Sequence, residues 1–410
     1  MRLVEQHIIK KNHRHYKEID HLSFLSKNLY NAALYLIRQE YFKTGQYLNY
    51  YDVQKILQNE KNVDYEALPR KVSQQVLKQV DKTYVSFFEA LKSYAVSPEK
   101  FQGGRPRLPY YKEKLVGRNM LVYTNQAISK TKLKQGIINP SGTAIEIKTA
   151  VQNLQQVRII KQPCCYVVEV IYEVKEKEVR NNNRIAAIDL GLSNLAAITN
   201  NVGIIPIIVN GRPLKSINQF YNKTKSKLQS LLPKDKRSSN NIRKLTHRRN
   251  NKVKDYLHNS SRYIINFLVS NDITTLVIGY NPEWKQGINI GKRNNQNFVN
   301  IPFYTFIKQL EYKAKLEGIN VLLHEESYTS KCSFLDLEKI CKHEEYKGKR
   351  VKRGLFRSAC GRFINADVNG SYNIMRKAFP EVFNKGIEGI VVCPLRVNPH
   401  QLNSGRNKIP

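Results

Sequence analysis

The chain has 410 residues, 41% of them hydrophobic, which fits a globular protein with one large domain and a smaller one. Lys and Arg total 68 against 33 for Asp and Glu, a net charge of +35, so the expected partner is a polyanion. No apolar run approaches the ~20 residues of a membrane span and MRLVEQHIIKKNH is not a signal peptide, so nucleic acid is favoured and a membrane partner is not expected.

The first part of the chain predicts a small β-domain that carries a helical insert. After an opening strand, MRLVEQHII, helical periodicity runs over residues 16–98. Short alternating stretches with turn residues follow, as in YVVEVIYEV. We expect residues 1–15 and 99–180 to form the β-domain, with the opening strand completing it.

Residues 184–330 predict an α/β domain. IAAIDL, LAAIT and IIPIIV are typical of buried strands, and a basic helix is expected from roughly 239 to 270. The strand TTLVIGY, a helix near 303–317 and the strand INVLLHEE follow. Residues 379–410 show no clear periodicity, and we expect them to form a flexible tail.

Carboxylates mark two ends of the predicted α/β elements. Asp189 ends a strand and is followed by Gly191, a pattern that fits a simple turn, the phosphate loop of an actin-like ATPase fold or a metal site. Asp367 lies in the first turn of a predicted helix, and Gly370 and Ser371 one turn later would let that face approach a strand closely. With a third carboxylate between them in sequence, they form the pattern of ribonuclease H-like nucleases, in which Mg²⁺ bound by oxygen ligands activates water. The ATPase alternative does not explain the +35 charge.

Several motifs together carry a family resemblance. IAAIDLGLSNLAAIT, YTSKCS and ACGRFINADVNGSYNI, with the N-terminal LYNAALYL and SQQVLKQVDKTYVSFF, resemble the TnpB family of transposon-encoded RNA-guided DNA endonucleases, related to the type V CRISPR effectors. The resemblance extends to about residue 378. It implies a β-barrel wedge domain with an all-helical recognition insert, and a RuvC-like nuclease domain over 184–330 and 361–378. A target-nucleic-acid-binding module over 331–360 interrupts that nuclease domain.

The resemblance also implies partners and a cofactor. These are a guide RNA from the transposon end, a target double-stranded DNA with a short adjacent motif, and Mg²⁺ or Mn²⁺. A monomer bound to RNA is the expected assembly.

The sequence departs from the family at one catalytic position. The family has a second carboxylate at the end of the strand that corresponds to TTLVIGY, where this chain has Gly279. The next strand, VLLHEE, is expected to lie beside it, and side chains alternate faces along a strand, so one of two adjacent glutamates can face the metals. We favour Glu326, keep Glu325 in reserve and place Glu283 third; the remaining alternative is that the paired glutamates are only solvated. The predicted metal ligands and catalytic residues are Asp189, Glu326 and Asp367.

Two other functions fit parts of the pattern. A nuclease-inactive, RNA-guided DNA-binding protein could have glycine at position 279, because glycine has no side chain that could bind a metal ion. A DDE-type transposase could use the same fold, but the sequence has no evident helix-turn-helix for transposon ends.

The cysteines indicate a degraded zinc module. The family pattern of two CxxC pairs is reduced to Cys332 and Cys360, and Cys341 with His343 could complete a Cys₃His set. Because that spacing is unusual, a metal-free hairpin held by apolar residues is favoured and zinc is the alternative. Six cysteines in so long a chain do not indicate a disulfide framework, and a reducing cytoplasm is expected.

Three basic stretches are predicted to contact nucleic acid. The extended GGRPRLPYYK combines bases with tyrosines that could stack, the helix at 239–270 carries bases off its apolar stripe, and YKGKRVKRGLFR is rich in charge. The predicted contact residues are Arg105, Arg107, Tyr110, Tyr111, Arg248, Arg249, Lys252, Lys349, Arg350 and Arg353.

Overall fold

The structure is a computed structural model that describes residues 1–281, 300–384 and 386–399. The candidate ligand Glu283 lies outside the described residues. The chain divides into two units, Met1–Val174 and Lys175–Pro410. Among the described helices, none is long and apolar enough to cross a membrane.

The first unit is built on a four-stranded antiparallel sheet. Its strands, in the order β1-β6-β5-β2, are β1 (Arg2–Lys10), β6 (Cys165–Glu173), β5 (Leu154–Lys161) and β2 (Leu121–Thr124). The prediction that the opening strand completes this sheet is confirmed, because β1 pairs with β6 along its whole length. The sheet is open, with β1 and β2 at its edges, and does not close into the expected barrel. A second antiparallel pair, β3 (Ile137–Ile138) with β4 (Ile147–Lys148), and the short helix α5 (Lys130–Lys134) complete the unit.

Four helices lie between β1 and β2 in the chain. They are α1 (Tyr16–Thr44), α2 (Tyr50–Asn59), α3 (Val63–Glu66) and α4 (Arg70–Val96). Local chemistry sets their ends: Gly45 closes α1 in the left-handed conformation, and Asn49 with Asp52 forms a capping box on α2. Buried residues at helical spacing, such as Val72, Val76 and Val80, hold α4 in the core.

The second unit contains a six-stranded mixed sheet in the order β11-β10-β7-β8-β9-β15. The strands are β7 (Ile185–Leu190), β8 (Asn194–Asn200), β9 (Ile207–Asn210), β10 (Thr275–Gly279), β11 (Asn320–His324) and β15 (Leu395–Val397). Strands β7, β8 and β9 form an antiparallel meander, and β10 and β11 continue from β7 in parallel. The expectation that the glutamate-bearing strand lies beside the Gly279 strand is confirmed, since Gly279 is opposite His324.

Helices cover both faces of this sheet. The helices are α6 (Arg212–Ser230), α7 (Asn240–Ser270), α8 (Phe303–Leu316) and α9 (Ala366–Ala378). Alternate residues of β7 enter different cores: Ala186 and Ile188 pack in the cluster with α7 and α8, and Ala187 packs in the cluster with α9. A buried sheet explains why these strands are continuous apolar runs.

A small module separates β11 from α9. It contains a three-stranded antiparallel sheet of β12 (Lys349–Lys352), β13 (Leu355–Arg357) and β14 (Phe363–Asn365). The module is anchored to α9 by Phe334, whose ring stacks on Tyr372 at 4.4 Å and meets the edge of Phe383.

The expected flexible tail is wrong for part of its length. Strand β15 pairs in parallel with β9, the backbone amide of Leu395 donates to Pro206 O, and Val397 is buried. The hydroxyl of Tyr372 also donates to Val391 O. Three strand residues are too few to produce a visible period, so sequence patterning missed this strand.

Phe334 gives a test of how the module is fixed to α9. Because its fully buried ring packs on two other aromatic rings, Phe334→Ala should lower the free energy of unfolding by about 3–5 kcal/mol. The measurement is chemical denaturation of the full-length protein. Phe363→Ala, at a half-exposed phenylalanine of β14, is the matched control and should cost much less; equal losses would contradict the anchoring role.

Candidate active site

Asp189 and α9 meet at very short range. A Cβ added at Gly370 would lie 2.6 Å from Asp189 Oδ2, so only glycine fits there without moving the carboxylate. Next to it, Ser371 Oγ donates to Ala187 O at 2.9 Å and lies 2.9 Å from the hydroxyl of Thr199. The predicted reason for small residues on this helix face is therefore confirmed.

Asp367 is held at the start of the same helix. Asn365 caps α9 by accepting hydrogen bonds from the backbone amides of Asp367 and Val368. Asn194, in the first position of β8, donates from Nδ2 to Asp367 Oδ2 at 2.5 Å. Arg350 Nη2 lies 3.5 Å from Asp367 Oδ1. Sequence reasoning missed Asn194, whose partner is 173 residues away along the chain.

Glu326 extends into the space above Gly279. A Cβ at position 279 would be 2.6 Å from Glu326 Oε2 and 2.5 Å from Ile374 Cδ1. The glycine is thus required by the presence of the neighbouring carboxylate and of α9. Glu326 Oε2 is buried and has no hydrogen-bond partner among the described residues.

The two adjacent glutamates occupy different environments. Glu325 forms an ion pair with Lys377 and accepts a hydrogen bond from the amide of Ser327. Partial burial alone would raise the pKa of Glu325, but these contacts outweigh it and lower the pKa to about 2. Burial, with a smaller contribution from the charge of Glu325, raises the pKa of Glu326 to about 7. The structure therefore brings Glu326, and not its neighbour, into the site as an uncompensated acid.

Asp189 is electrostatically coupled to both other candidate ligands. Burial, then the charges of Asp367 and Glu326, raises the pKa of Asp189 well above its usual range, and Arg350 opposes this shift. A buried carboxyl group that is repelled by two others, together with an unpartnered buried oxygen, fits a site for hard cations. In the described parts of the chain, however, no three His, Cys, Asp or Glu side chains already stand close enough to hold an ion. The chemistry of the donor atoms and their charge therefore suit a hard cation, but the side chains do not form a complete coordination shell.

Among the described residues, the four candidate zinc ligands are not brought together as a set. Cys332 Sγ is buried against the carbonyls of Lys339 and Cys341, while Cys341 Sγ lies 3.4 Å from His343 Nε2. Cys360 is exposed and contacts Ser358.

Two carboxylates organise this module instead. Glu338, which is only 3% exposed, accepts from the backbone amides of Ser333 and Lys347 at 2.7 and 2.9 Å. Asp336 accepts from the hydroxyl of Ser333 and from the amide of Ala359, which joins the two sides of the module. Sequence reasoning missed both, because an acid in a charged loop gives no sign of which amides it will meet.

The aromatic and basic segment at 103–112 is laid against α1. Arg38 donates to Pro109 O at 2.5 Å and its guanidinium stacks on Tyr111, while Asn31 forms two hydrogen bonds with the backbone of Lys112. These contacts leave the predicted contact residues of the segment exposed, namely Arg105, Arg107, Tyr110 and Tyr111.

The predicted basic residues of the second unit differ in their surroundings. Arg248 and Lys252 are exposed on α7, as are Lys349, Arg350 and Arg353 on and next to β12. Arg249 is half-buried and donates to Asn218 and to Asn300 O, so it ties α7 to its neighbours instead of facing solvent. Its pKa is lowered by burial.

Two family models match this chain. One, described as a probable transposase (OrfB of IS605), matches residues 165–285, and the other, the TNB domain of Cas12f1-like proteins, matches residues 303–374. The two matches follow each other along the chain and together contain Asp189, Glu326 and Asp367.

Two solved structures have a partial structural likeness to this chain. The mini-RNA-guided endonuclease Cas_phi3 is 10% identical and covers 96% of this chain and 94% of its own, with a TM-score of 0.45. The Cas12f1–sgRNA–target DNA complex is 14% identical and covers 91% and 98%, with a TM-score of 0.37.

Two curated proteins are similar in sequence. A TnpB-like protein of Acidianus two-tailed virus is 24% identical over 50% of this chain and 44% of its own length. A TnpB-like protein of Methanocaldococcus jannaschii is 29% identical over 40% of this chain and 57% of its own. The chain spans about half the length of these curated relatives. Both curated relatives are TnpB-like and the two family models match successive parts of the chain, so over these regions the chain is similar to TnpB-like proteins.

Proposed function

We propose that this protein is an RNA-guided DNA endonuclease that hydrolyses DNA phosphodiesters at Asp189, Glu326 and Asp367. The observation that carries the proposal is the position of Glu326, whose carboxylate extends over Gly279 while its charge is coupled to that of Asp189. A carboxylate from the residues after β11 would thereby take the place that the family gives to a residue of β10.

The proposed ligands of hard cations such as Mg²⁺ or Mn²⁺ come from three different elements. Asp189 and Asp367 come from facing elements, β7 and α9, and Glu326 comes from the residues after β11. When bound, the ions would supply an activated water and stabilise the leaving oxygen of the phosphodiester. Asn194 orients Asp367 by a hydrogen bond, and Lys377 keeps Glu325 out of the ligand set.

The proposal includes the partners that the family resemblance implies. The first unit would be the wedge domain with its recognition helices α1–α4, binding a guide RNA from the transposon end and a short motif beside the target. The +35 charge and the exposed basic and aromatic residues at 105–111 support nucleic acid as the ligand. Sequence specificity would come from pairing between guide RNA and double-stranded DNA target, in a monomeric complex.

A second candidate function is RNA-guided DNA binding without cleavage. Two observations favour it: position 279 has no ligand, and Arg350 lies beside Asp367 where a cation would otherwise be attracted. Such a protein would act by occupying its target.

Cleavage separates the two functions. With Mg²⁺ and RNA from the genomic flank co-expressed, wild type should cut a target plasmid, and Asp189→Ala, Asp367→Asn and Glu326→Gln should each lose at least about 100-fold in rate. A bound metal ion stabilises the charge of the transition state by several kcal/mol. Losing that stabilisation corresponds to a fall in rate of this size.

Glu325→Gln is the matched control, because it changes the adjacent residue in the same way and should keep most of the activity. Guide-dependent binding must be measured for every variant. Binding without cutting by wild type would support the second function, and equal cutting by Glu326→Gln and wild type would exclude Glu326 as a ligand.

Glu326 also allows a test that does not depend on cutting. Its pKa is about 7 in the folded protein against 4.5 as the ordinary value, so between these pH values the folded state binds more protons than the unfolded state. The free energy of unfolding should therefore fall as pH rises from 4.5 to 7. Glu326→Gln cannot ionise, so its free energy of unfolding should not show this fall. The stability of the variant relative to wild type should be about 3 kcal/mol greater at pH 8 than at pH 4.5.

Denaturation at several pH values, with and without Mg²⁺, checks this prediction. Mg²⁺ should stabilise wild type at pH 8 and stabilise Glu326→Gln much less, since a ligand that binds the folded state adds to its stability. Glu325→Gln should behave in the opposite way: the pKa of Glu325 is lowered, so wild type keeps an advantage over that variant above pH 4.5 and loses it as pH falls towards 2. A Glu326→Gln difference that does not vary with pH would refute the buried-acid assignment.

A further inference from the structure

Two large apolar side chains are exposed next to each other on the first unit. Leu115 is 76% exposed and Val116 is 79% exposed, in the loop that leads from the helical insert to β2. Single exposed apolar residues are common on protein surfaces, so exposure alone does not make this pair functional. The structure of the turn that carries the pair and the charge around it supply the further evidence.

The turn is closed by the side chain of Glu113. Its two carboxylate oxygens accept hydrogen bonds from three successive backbone amides, those of Leu115, Val116 and Gly117. These amides lower the pKa of Glu113, so the carboxylate is ionised and the turn is closed at neutral pH. A Cβ at Gly117 would lie 2.1 Å from Glu113 O, so only glycine fits this turn. The apolar pair is therefore held outward on a built turn and not on a loose loop.

The backbone on both sides of this turn is tied to α1. Before the turn, Asn31 forms two hydrogen bonds of 2.9 Å with the backbone of Lys112. After the turn, Arg118 donates to Asp20 at 2.7 Å. Asn31 and Asp20 both belong to α1, a helix of 29 residues. The apolar pair therefore cannot fold back onto the unit to bury itself unless these bonds break.

The charge around the pair favours a nucleic acid as its partner. Residues 105–118 contain five Lys or Arg residues and one acid, Glu113, whose carboxylate is engaged by the amides of its own turn. A nucleic-acid duplex is a polyanion with an apolar interior, and DNA-bending proteins insert apolar side chains between its base steps. An anionic membrane would meet the same charge, but two side chains bury too little apolar area to anchor a protein there.

We propose that Leu115 and Val116 form a wedge that inserts between base pairs of the target DNA duplex and starts its opening. This role rests on the proposed function, because a guide RNA can pair with its target only after the two DNA strands have separated locally. The neighbouring cations bind phosphates, and the two apolar side chains replace the stacking that the separated bases lose. The rigid turn matters because a mobile loop would yield before the base pairs did.

Two versions of one target DNA separate strand opening from binding. Both match the guide RNA and carry the flanks of the natural insertion site; one is fully paired, and the other has a few mismatched, already open base pairs where guide pairing begins. Full-length protein with its guide RNA is added in EDTA, and opening is followed by the fluorescence of 2-aminopurine in the displaced strand. The double variant Leu115→Ser/Val116→Ser should open the paired duplex at least about 10-fold more slowly than wild type, because unstacking is no longer compensated. It should bind the open version as well as wild type does.

Two further variants change the turn and keep the apolar pair. Gly117→Ala places a Cβ against Glu113 O, and Glu113→Ala removes the acceptor of the three amides. Both should slow the opening of the paired duplex and leave binding of the open version unchanged. Leu115→Met keeps a long apolar side chain and should open the duplex at the wild-type rate. Val96→Ser, at an exposed valine that ends α4, is the matched control and should also behave as wild type.

Equal opening rates of the double variant, the control and wild type would overturn the wedge. An equal loss on the paired and the open DNA would also overturn it, because it would indicate a contact with the guide RNA or a folding defect, and so would a wild type that opens no paired duplex. Since metal is absent, the result is independent of cleavage. A wild type that opens its target through these residues and never cuts in Mg²⁺ would reject the nuclease and retain the wedge.

Discussion

The site depends on one steric constraint, the close approach of α9 to the sheet. Two glycines permit it: Gly370 leaves room for the carboxylate of Asp189, and Gly279 leaves room for Glu326 and Ile374. The approach is then fixed by Ser371, which donates to the backbone of β7 in the buried interior. Because the helix also carries Asp367 in its first turn, the packing distance of α9 determines how near the two aspartates come. Any larger side chain at either glycine would separate carboxylates that the chain holds together.

This packing concentrates like charges at one end of the sheet. The chain relieves part of the repulsion with polar contacts, since Asn194 bonds Asp367 and Lys377 pairs with Glu325. The pairing with Lys377 also separates two chemically identical neighbours, because it holds one glutamate as an ionised surface group, whereas the other is half-buried with its Oε2 atom buried. Glu326 and Asp189 form no such ion pair among the described residues, and burial, with a smaller contribution from neighbouring carboxylates, raises the pKa of both. A divalent cation is the kind of ligand that would remove it.

Sequence patterning found the elements that are long, apolar and regular. The buried strands β7, β8 and β10, the helix α7 and the strand-end and helix-start positions of Asp189 and Asp367 all follow from periods and caps. The neighbouring position of β11 followed from strand order, and it led to Glu326. Short elements and distant polar partners were missed, including β15, Asn194 and Glu338, because three residues show no period and a hydrogen bond across 173 positions leaves no local sign. Arg249 was misjudged for a related reason: its charge indicated a surface role, whereas it is half-buried and donates to three asparagines.

The glycine at 279 can be interpreted as a lost ligand or as a consequence of a ligand that came from elsewhere. A buried polar group without a hydrogen bond destabilises the fold. If the site were simply inactivated, the unpartnered carboxyl oxygen of Glu326 would lower the stability of the protein without serving a function. Replacing Glu326 by a neutral residue would relieve that cost, and nothing else in the described contacts of its side chain needs the charge. Gly279 makes room for both Ile374 and Glu326, and the buried carboxyl oxygen of Glu326 is the kind of group that a bound cation would stabilise. Both features fit the proposed metal site, in which the ligand would have moved from one strand to the residues that follow the next.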